Sequence, residues 1–202
     1  MLAQLATVKA RLALDPIDPT NDVLLLRAII AVSARFDQET NRTLARTENA
    51  VFEFPADDSE IVVPCYPIEI VSKFELKSSE AEGWVEQSGV EFLVRRGCAI
   101  SLHSAFWSPH SALCSARVTY TGGYLVPGDP IPQPTASGVQ PVALPVDLEQ
   151  AVVEQTAFWF QTREKLGVIR QWPKGGNYEQ FSDLDLLPSV RETLSRHTRF
   201  AL

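Results

Sequence analysis

An α+β protomer is the fold class this sequence predicts, and three observations predict it. Helical periodicity fills the N-terminal segment, short β-type runs occupy the middle from Thr43 to Tyr124, and a long amphipathic helix returns after Pro145. The expected architecture has N-terminal helices and a long helix in the C-terminal half packed with a small, mostly antiparallel sheet. An extended C-terminal arm ending in a short helix completes it. The expected division is a core over 1–167, with helices at 4–12, 22–40 and 147–166 and a β-rich region at 43–124, followed by an arm over 168–202.

The first helix rests on Val8 and Leu12, four apart on one face. The stretch LDPIDPTND breaks it with prolines and aspartates, and Asn21 or Asp22 caps the next helix. Leu25, Ile29, Val32 and Phe36 give that second helix its apolar stripe. In the middle, AVFEF, EIVVP, IEIVSKFEL, EFLVRR and ARVTYT cluster β-branched and aromatic residues, separated by the turn signals PADDS, SSEAEG, RRG and SPHS. Pro64 and Pro67 flank Cys65-Tyr66 and mark a strand end or an edge. Gly122-Gly123 ends the last run, and a proline-rich loop reaches to Leu144.

The segment PVDLEQAVVEQTAFWFQTREKLG then reads as a capped helix, with Asp147 and Gln150 at capping-box spacing and Gly167 as the stop. Leu148, Ala151, Val152, Phe158, Trp159 and Leu166 make one stripe, and Val153, Ala157 and Phe160 make a second beside it. So wide an apolar surface has more than one neighbour: it is either central to the fold or shared with another subunit. Beyond it, Val190, Leu194 and His197 share a face in a last short helix, with Asp185 and Pro188 as start signals.

Net charge is −7, which argues against sequence-independent nucleic-acid binding, since that needs clustered cations. Residues 1–162 carry 11 Lys+Arg against 20 Asp+Glu, a net of −9, and residues 163–202 carry 7 against 5, a net of +2. Trp159, Phe160, Trp172, Tyr178, Phe181 and Phe200 concentrate in the last quarter, so a mildly basic, aromatic tail follows an acidic body. Such a tail reads as a docking segment, because aromatics remove much area from water with few rotors to freeze. No apolar run reaches the roughly 18 residues of a membrane span, and the N-terminus has no signal-peptide pattern.

Enzymatic chemistry finds little support. Cys98, His103, His110 and Cys114 are the ligand types zinc uses, but no local CxxC or HxxxH spacing fixes two of them together. The three cysteines are an odd set and read as free thiols. There is no nucleophile elbow and no phosphate-binding glycine loop, and Asp57/Asp58 and Asp183/Asp185 lie in turn-like polar context. No catalytic, cofactor or metal residue is expected.

The ordered set ATVKARL, NDVLLLRAIIAVSARFDQETNRTL, EIVVPCYPIEIVSKFEL, RVTYTGGYLVP and PVDLEQAVVEQTAFWFQTRE resembles the head–tail connector (adaptor, head-completion) family of tailed bacteriophages and gene transfer agents. The proline-rich stretch from Gly128 to Leu144 is longer than that family's usual link. The resemblance implies a non-enzymatic virion protein at the head–tail junction, assembled in the host cytoplasm, with no membrane association. It implies a ring of roughly twelve identical copies under a portal protein. The ring would lengthen the DNA channel without specific DNA binding and offer a platform to a downstream neck or tail protein. Carried onto this chain, portal docking falls on Trp172, Tyr178, Phe181, Leu187, Val190, Leu194 and Phe200, and subunit contact on Phe160 and Arg163. A head-closure or tail-completion component and a Cys/His metal enzyme are the alternatives.

Overall fold

Among the described residues the elements run in chain order as α1 (Leu5–Arg11), α2 (Asp22–Thr40), β1 (Thr47–Pro55), β2 (Glu60–Val62), β3 (Ile68–Lys77), β4 (Val85–Glu86), β5 (Phe92–Arg95), β6 (Ala99–Leu102), β7 (Ser115–Gly122), β8 (Tyr124–Leu125), β9 (Val142–Ala143), α3 (Val146–Gln161), β10 (Val168–Arg170), β11 (Gln180–Phe181) and α4 (Pro188–His197). This computed structural model describes residues 1–103, 114–132, 139–163, 168–170, 180–181 and 186–199. The α+β expectation holds. Among the described residues no helix is long and apolar enough to cross a membrane.

The chain divides into two units. One comprises Met1–Thr40 with Pro145–Thr198, the other Asn41–Leu144 with Arg199–Leu202. This differs from the expected cut after residue 167. The reason is physical: α4 presents Val190 and Leu194, both buried, and packs on α2 and α3.

In the helical unit α3 is central, packing on α1, α2 and α4. Its buried residues are Leu148, Ala151, Val152, Val153, Gln155, Thr156 and Ala157. Most of its wide apolar surface therefore faces three helices of its own protomer. On α2, Leu25, Ile29, Val32 and Phe36 are all buried, as the spacing predicts. The Asn21 carbonyl accepts the Leu25 N–H at 2.9 Å. Lys9 is buried, and its Nζ donates to the carbonyls of Pro16 (3.2 Å) and Asp18 (2.7 Å) and pairs with Asp22 at 2.5 Å. Three oxygen partners match the three ammonium donors, which offsets the desolvation of the charge and pins the loop between α1 and α2.

Two features of α3 correct the sequence reading. Its N-cap is Pro145, so Asp147 lies inside the first turn, where its Oδ1 accepts the Leu148 N–H at 2.9 Å, and no capping box forms. Its helical run ends at Gln161, short of residue 166. There Thr162 Oγ1 donates to the Phe158 carbonyl (2.7 Å) and Arg163 to the Phe160 carbonyl (2.9 Å), satisfying late acceptors that a helix otherwise leaves open. Leu166 and Gly167 lie outside the described residues.

The β unit holds a four-stranded sheet in the order β1-β7-β3-β4 and a three-stranded sheet in the order β2-β6-β5, with every pairing in them antiparallel. Residues of both sheets share one apolar cluster that includes Phe54, Ile61, Val63, Phe74, Ile100, Leu102, Val118 and Tyr120. Tyr120 is buried, and its hydroxyl accepts the Cys65 N–H at 3.1 Å; burial pushes the phenol up to about 12. The proline-rich stretch is tied at its base, where β8 pairs in parallel with β9 and Leu144 N–H reaches the Leu125 carbonyl at 2.9 Å.

Candidate assembly surfaces

The residues expected to dock a partner separate into three groups. Val190 and Leu194 are buried on α4 within the helical unit. Leu187, half-buried, opens that helix, and its N–H donates to Gln155 Oε1 at 2.9 Å, which satisfies a fully buried amide oxygen of α3. At the other end of α4, His197 Nε2 lies 3.1 Å from Asp147 Oδ2. Burial works to raise the Asp147 carboxyl, but the His197 hydrogen bond and charge and the Leu148 N–H outweigh it and hold it below the usual range. Phe181 sits in β11, opposite Val168 of β10. Trp172, Tyr178 and Phe200 lie outside the described residues. Arg199, just before Phe200, donates to the Val62 carbonyl at 2.7 Å and lies 5.5 Å over the Phe52 ring.

At the C-terminal end of α3 the aromatic side chains emerge. Phe158 is exposed, Trp159 and Phe160 are half-buried, and the Arg163 guanidinium lies 4.4 Å over the Phe160 ring. The stripe assignment of Phe158 is corrected by its exposure. Of the second stripe, Val153 and Ala157 are buried in the helical unit, and Phe160 stays partly open.

The β unit carries two charge networks. Glu75 on β3 accepts two hydrogen bonds from Arg117 on β7 (2.6 and 3.0 Å) and pairs with Lys73 at 2.9 Å. Those cations, Arg117 foremost, outweigh burial and hold its carboxyl at about 2. The Arg117 guanidinium also lies 4.4 Å over Trp84. Arg46 grips the buried Glu69 bidentately at 2.8 and 3.0 Å and Glu48 at 2.6 Å, which raises its already high pKa. Close by in sequence, Arg42 is buried, donates to the Tyr66 carbonyl, and stacks 3.5 Å over the Tyr66 ring and 5.1 Å over that of Tyr124.

Gly122 and Gly123 are required by close backbone approach. A Cβ at Gly122 would meet the Cys65 carbonyl oxygen at 2.5 Å. One at Gly123, whose φ is +99°, would meet the Ala45 oxygen at 2.7 Å. Cys65 is buried with Sγ 3.1 Å from the Gly122 oxygen, and Cys65, Cys98 and Cys114 are free thiols. Among the described residues no group of three His, Cys, Asp or Glu side chains is placed to hold a metal ion.

The fold has solved counterparts. A chain in the neck of an empty GTA particle, computed with C6 symmetry, superposes with a TM-score of 0.59 at 17% identity, over 98% of this chain and 89% of that one. This is a fold of the gene transfer agent neck. A chain in the neck of the native GTA particle, computed with C12 symmetry, gives 0.55 at 18% identity over 98% of this chain and 91% of that one. A third, from the virion of the native gene transfer agent, gives 0.53 at 16% identity over 91% and 80%. No family model and no curated protein matches the sequence.

The ordered motifs carry the resemblance to this fold, whereas β4 and β6, the Lys9 clasp, the Arg46–Glu69 grip and the His197–Asp147 pair leave no local signal in the sequence. The first two are short or flanked by charge, and the pairs join residues too far apart in sequence for a local pattern to link them.

Proposed function

We propose that this chain is a structural neck protein, a head–tail adaptor. Identical copies close into a ring, extend the DNA channel below a portal and present a platform to a tail-side protein. The observation that carries this reading is the likeness, over 98% of the chain, to components of gene transfer agent necks computed with C6 and C12 symmetry. A net charge of −7 agrees with it: DNA phosphates find few clustered cations to hold them in a channel.

Within this reading the docking segment narrows. Leu187, Val190 and Leu194 serve α4, so portal attachment rests on Trp172, Tyr178, Phe181 and Phe200 of the stretch after α3 and the chain's end. Phe160, with Arg163 stacked on it, is a proposed subunit contact. The test is co-sedimentation with a portal ring, together with mass spectrometry of purified particles. The expected result is binding by the full chain and loss of binding when Trp172 and Tyr178 are both changed to Ala. Absence of the chain from purified particles would refute the adaptor role, and binding to a tail-side partner alone would make it a different neck component.

A further inference from the structure

Two exposed helix faces of opposite character remain on the helical unit. On α2, Val23, Arg27, Ile30 and Ala34 follow one another at spacings of four, three and four, and all are exposed. Val23 is 66% and Ile30 55% exposed. Arg27 makes no ion pair among the described residues, whereas the neighbouring Arg35 is engaged by Glu39 at 2.6 Å. On α3, Val146, Gln150, Glu154 and Phe158 form an i+4 ridge. Val146 is 80% and Phe158 38% exposed. Glu154 is half-buried, accepts from the Gln150 amide at 3.0 Å and has no cationic partner among the described residues.

Among the described residues, each face thus pairs large exposed apolar side chains with one charge that has no ion-pair partner, and the charges are opposite. We infer that the α2 face of one copy seats on the α3 ridge of the next, with Arg27 placed against Glu154 and Ile30 against Phe158. This inference rests on the ring reading and names its contact. The occupant follows from charge complementarity. Joining two α2 faces would bring Arg27 of both copies to one seam, and joining two α3 faces would do the same with Glu154. Only the unlike combination neutralises both. It also uses two different faces of one protomer, which is the head-to-tail geometry that closes rings.

The test uses the full chain, with sedimentation velocity and native mass spectrometry over a concentration series. Arg27→Glu and Glu154→Arg are each expected to raise the concentration of half-assembly about tenfold or more, and the double variant to recover most of that loss. Ile30→Asp, which leaves the charge pair intact, is expected to block assembly as well. All three substituted positions are at least partly exposed, so circular dichroism is expected to report unchanged folding. Wild-type assembly unaffected by Arg27→Glu or Ile30→Asp would overturn the inference and leave the ring reading standing. A double variant as defective as the single ones would overturn the Arg27–Glu154 pairing. A wild-type chain that stays monomeric alone and also on a portal ring would overturn the ring reading and this contact with it.

Discussion

Leu194→Ala decides whether α4 holds the protomer or a partner. Leu194 is 3% exposed and Val190 2% exposed on the face that α4 turns to the helical unit. Truncating a buried leucine removes its transfer free energy and leaves a cavity that neighbours fill only partly. The expected loss is about 3 kcal/mol, within the ~2–5 kcal/mol range for such sites. For a chain of this size that corresponds to a fall in melting temperature of roughly 6–12 °C. Urea denaturation followed by helical circular dichroism measures it. Arg196→Ala, on the exposed side of the same helix, is the control; its pair with Glu192 spans one turn at 2.6 Å and contributes under about 0.5 kcal/mol. A loss below about 1 kcal/mol for Leu194→Ala, with portal binding abolished instead, would return α4 to the docking arm and refute the core assignment.

Three further outcomes are expected. Gly123→Ala destabilises the β unit by more than about 1–2 kcal/mol, because φ of +99° and a carbonyl oxygen at 2.7 Å both oppose a Cβ, and thermal unfolding reads this directly. Glu69→Gln leaves Arg46 half-buried without its bidentate anion and costs about 3 kcal/mol, an effect that Arg46→Met with Glu69→Gln should partly reverse. Glu75 has its carboxyl lowered from 4.5 to about 2 in the fold, so its stabilisation is complete above pH 4.5 and is lost as pH falls toward 2. Glu75→Gln should therefore flatten the acid limb of a stability–pH curve between those values, and an unchanged limb would mean that the carboxylate is not held by Arg117 and Lys73.

What could be read in advance followed local periodicity. The four apolar positions of α2 recur at helical spacing, and all four are buried. The five β-type runs each contain a strand, because β-branched clusters bounded by turn residues have few other ways to pair. The glycine pair at 122–123 was legible as a strand end, but its deeper reason, the approach of Cys65 and Ala45 backbone, depends on chain segments distant in sequence. The apolar breadth of α3 was read correctly, yet pattern alone left open whether the extra neighbour was a helix of the same protomer or of another. It is mainly the same protomer: α1, α2 and α4 cover it. Exposure of Val23, Ile30 and Phe158 escaped notice for the converse reason, since an apolar residue adjoining a buried stripe gives no sign of which side it faces.

The Leu44–Arg46 segment has a consequence for how this chain can be rearranged. Tyr124 N–H bonds to the Leu44 carbonyl at 2.9 Å, Arg46 N–H returns to the Tyr124 carbonyl at 2.8 Å, and Tyr124–Leu125 pairs on with Val142–Ala143. The points where the polypeptide enters and leaves the inserted β unit are thus stitched side by side. Insertions anchored in this way exchange readily between host scaffolds, because little loop entropy separates the cut ends. A graft of residues 41–144 would carry the Arg46–Glu69 and Arg117–Glu75 networks with it.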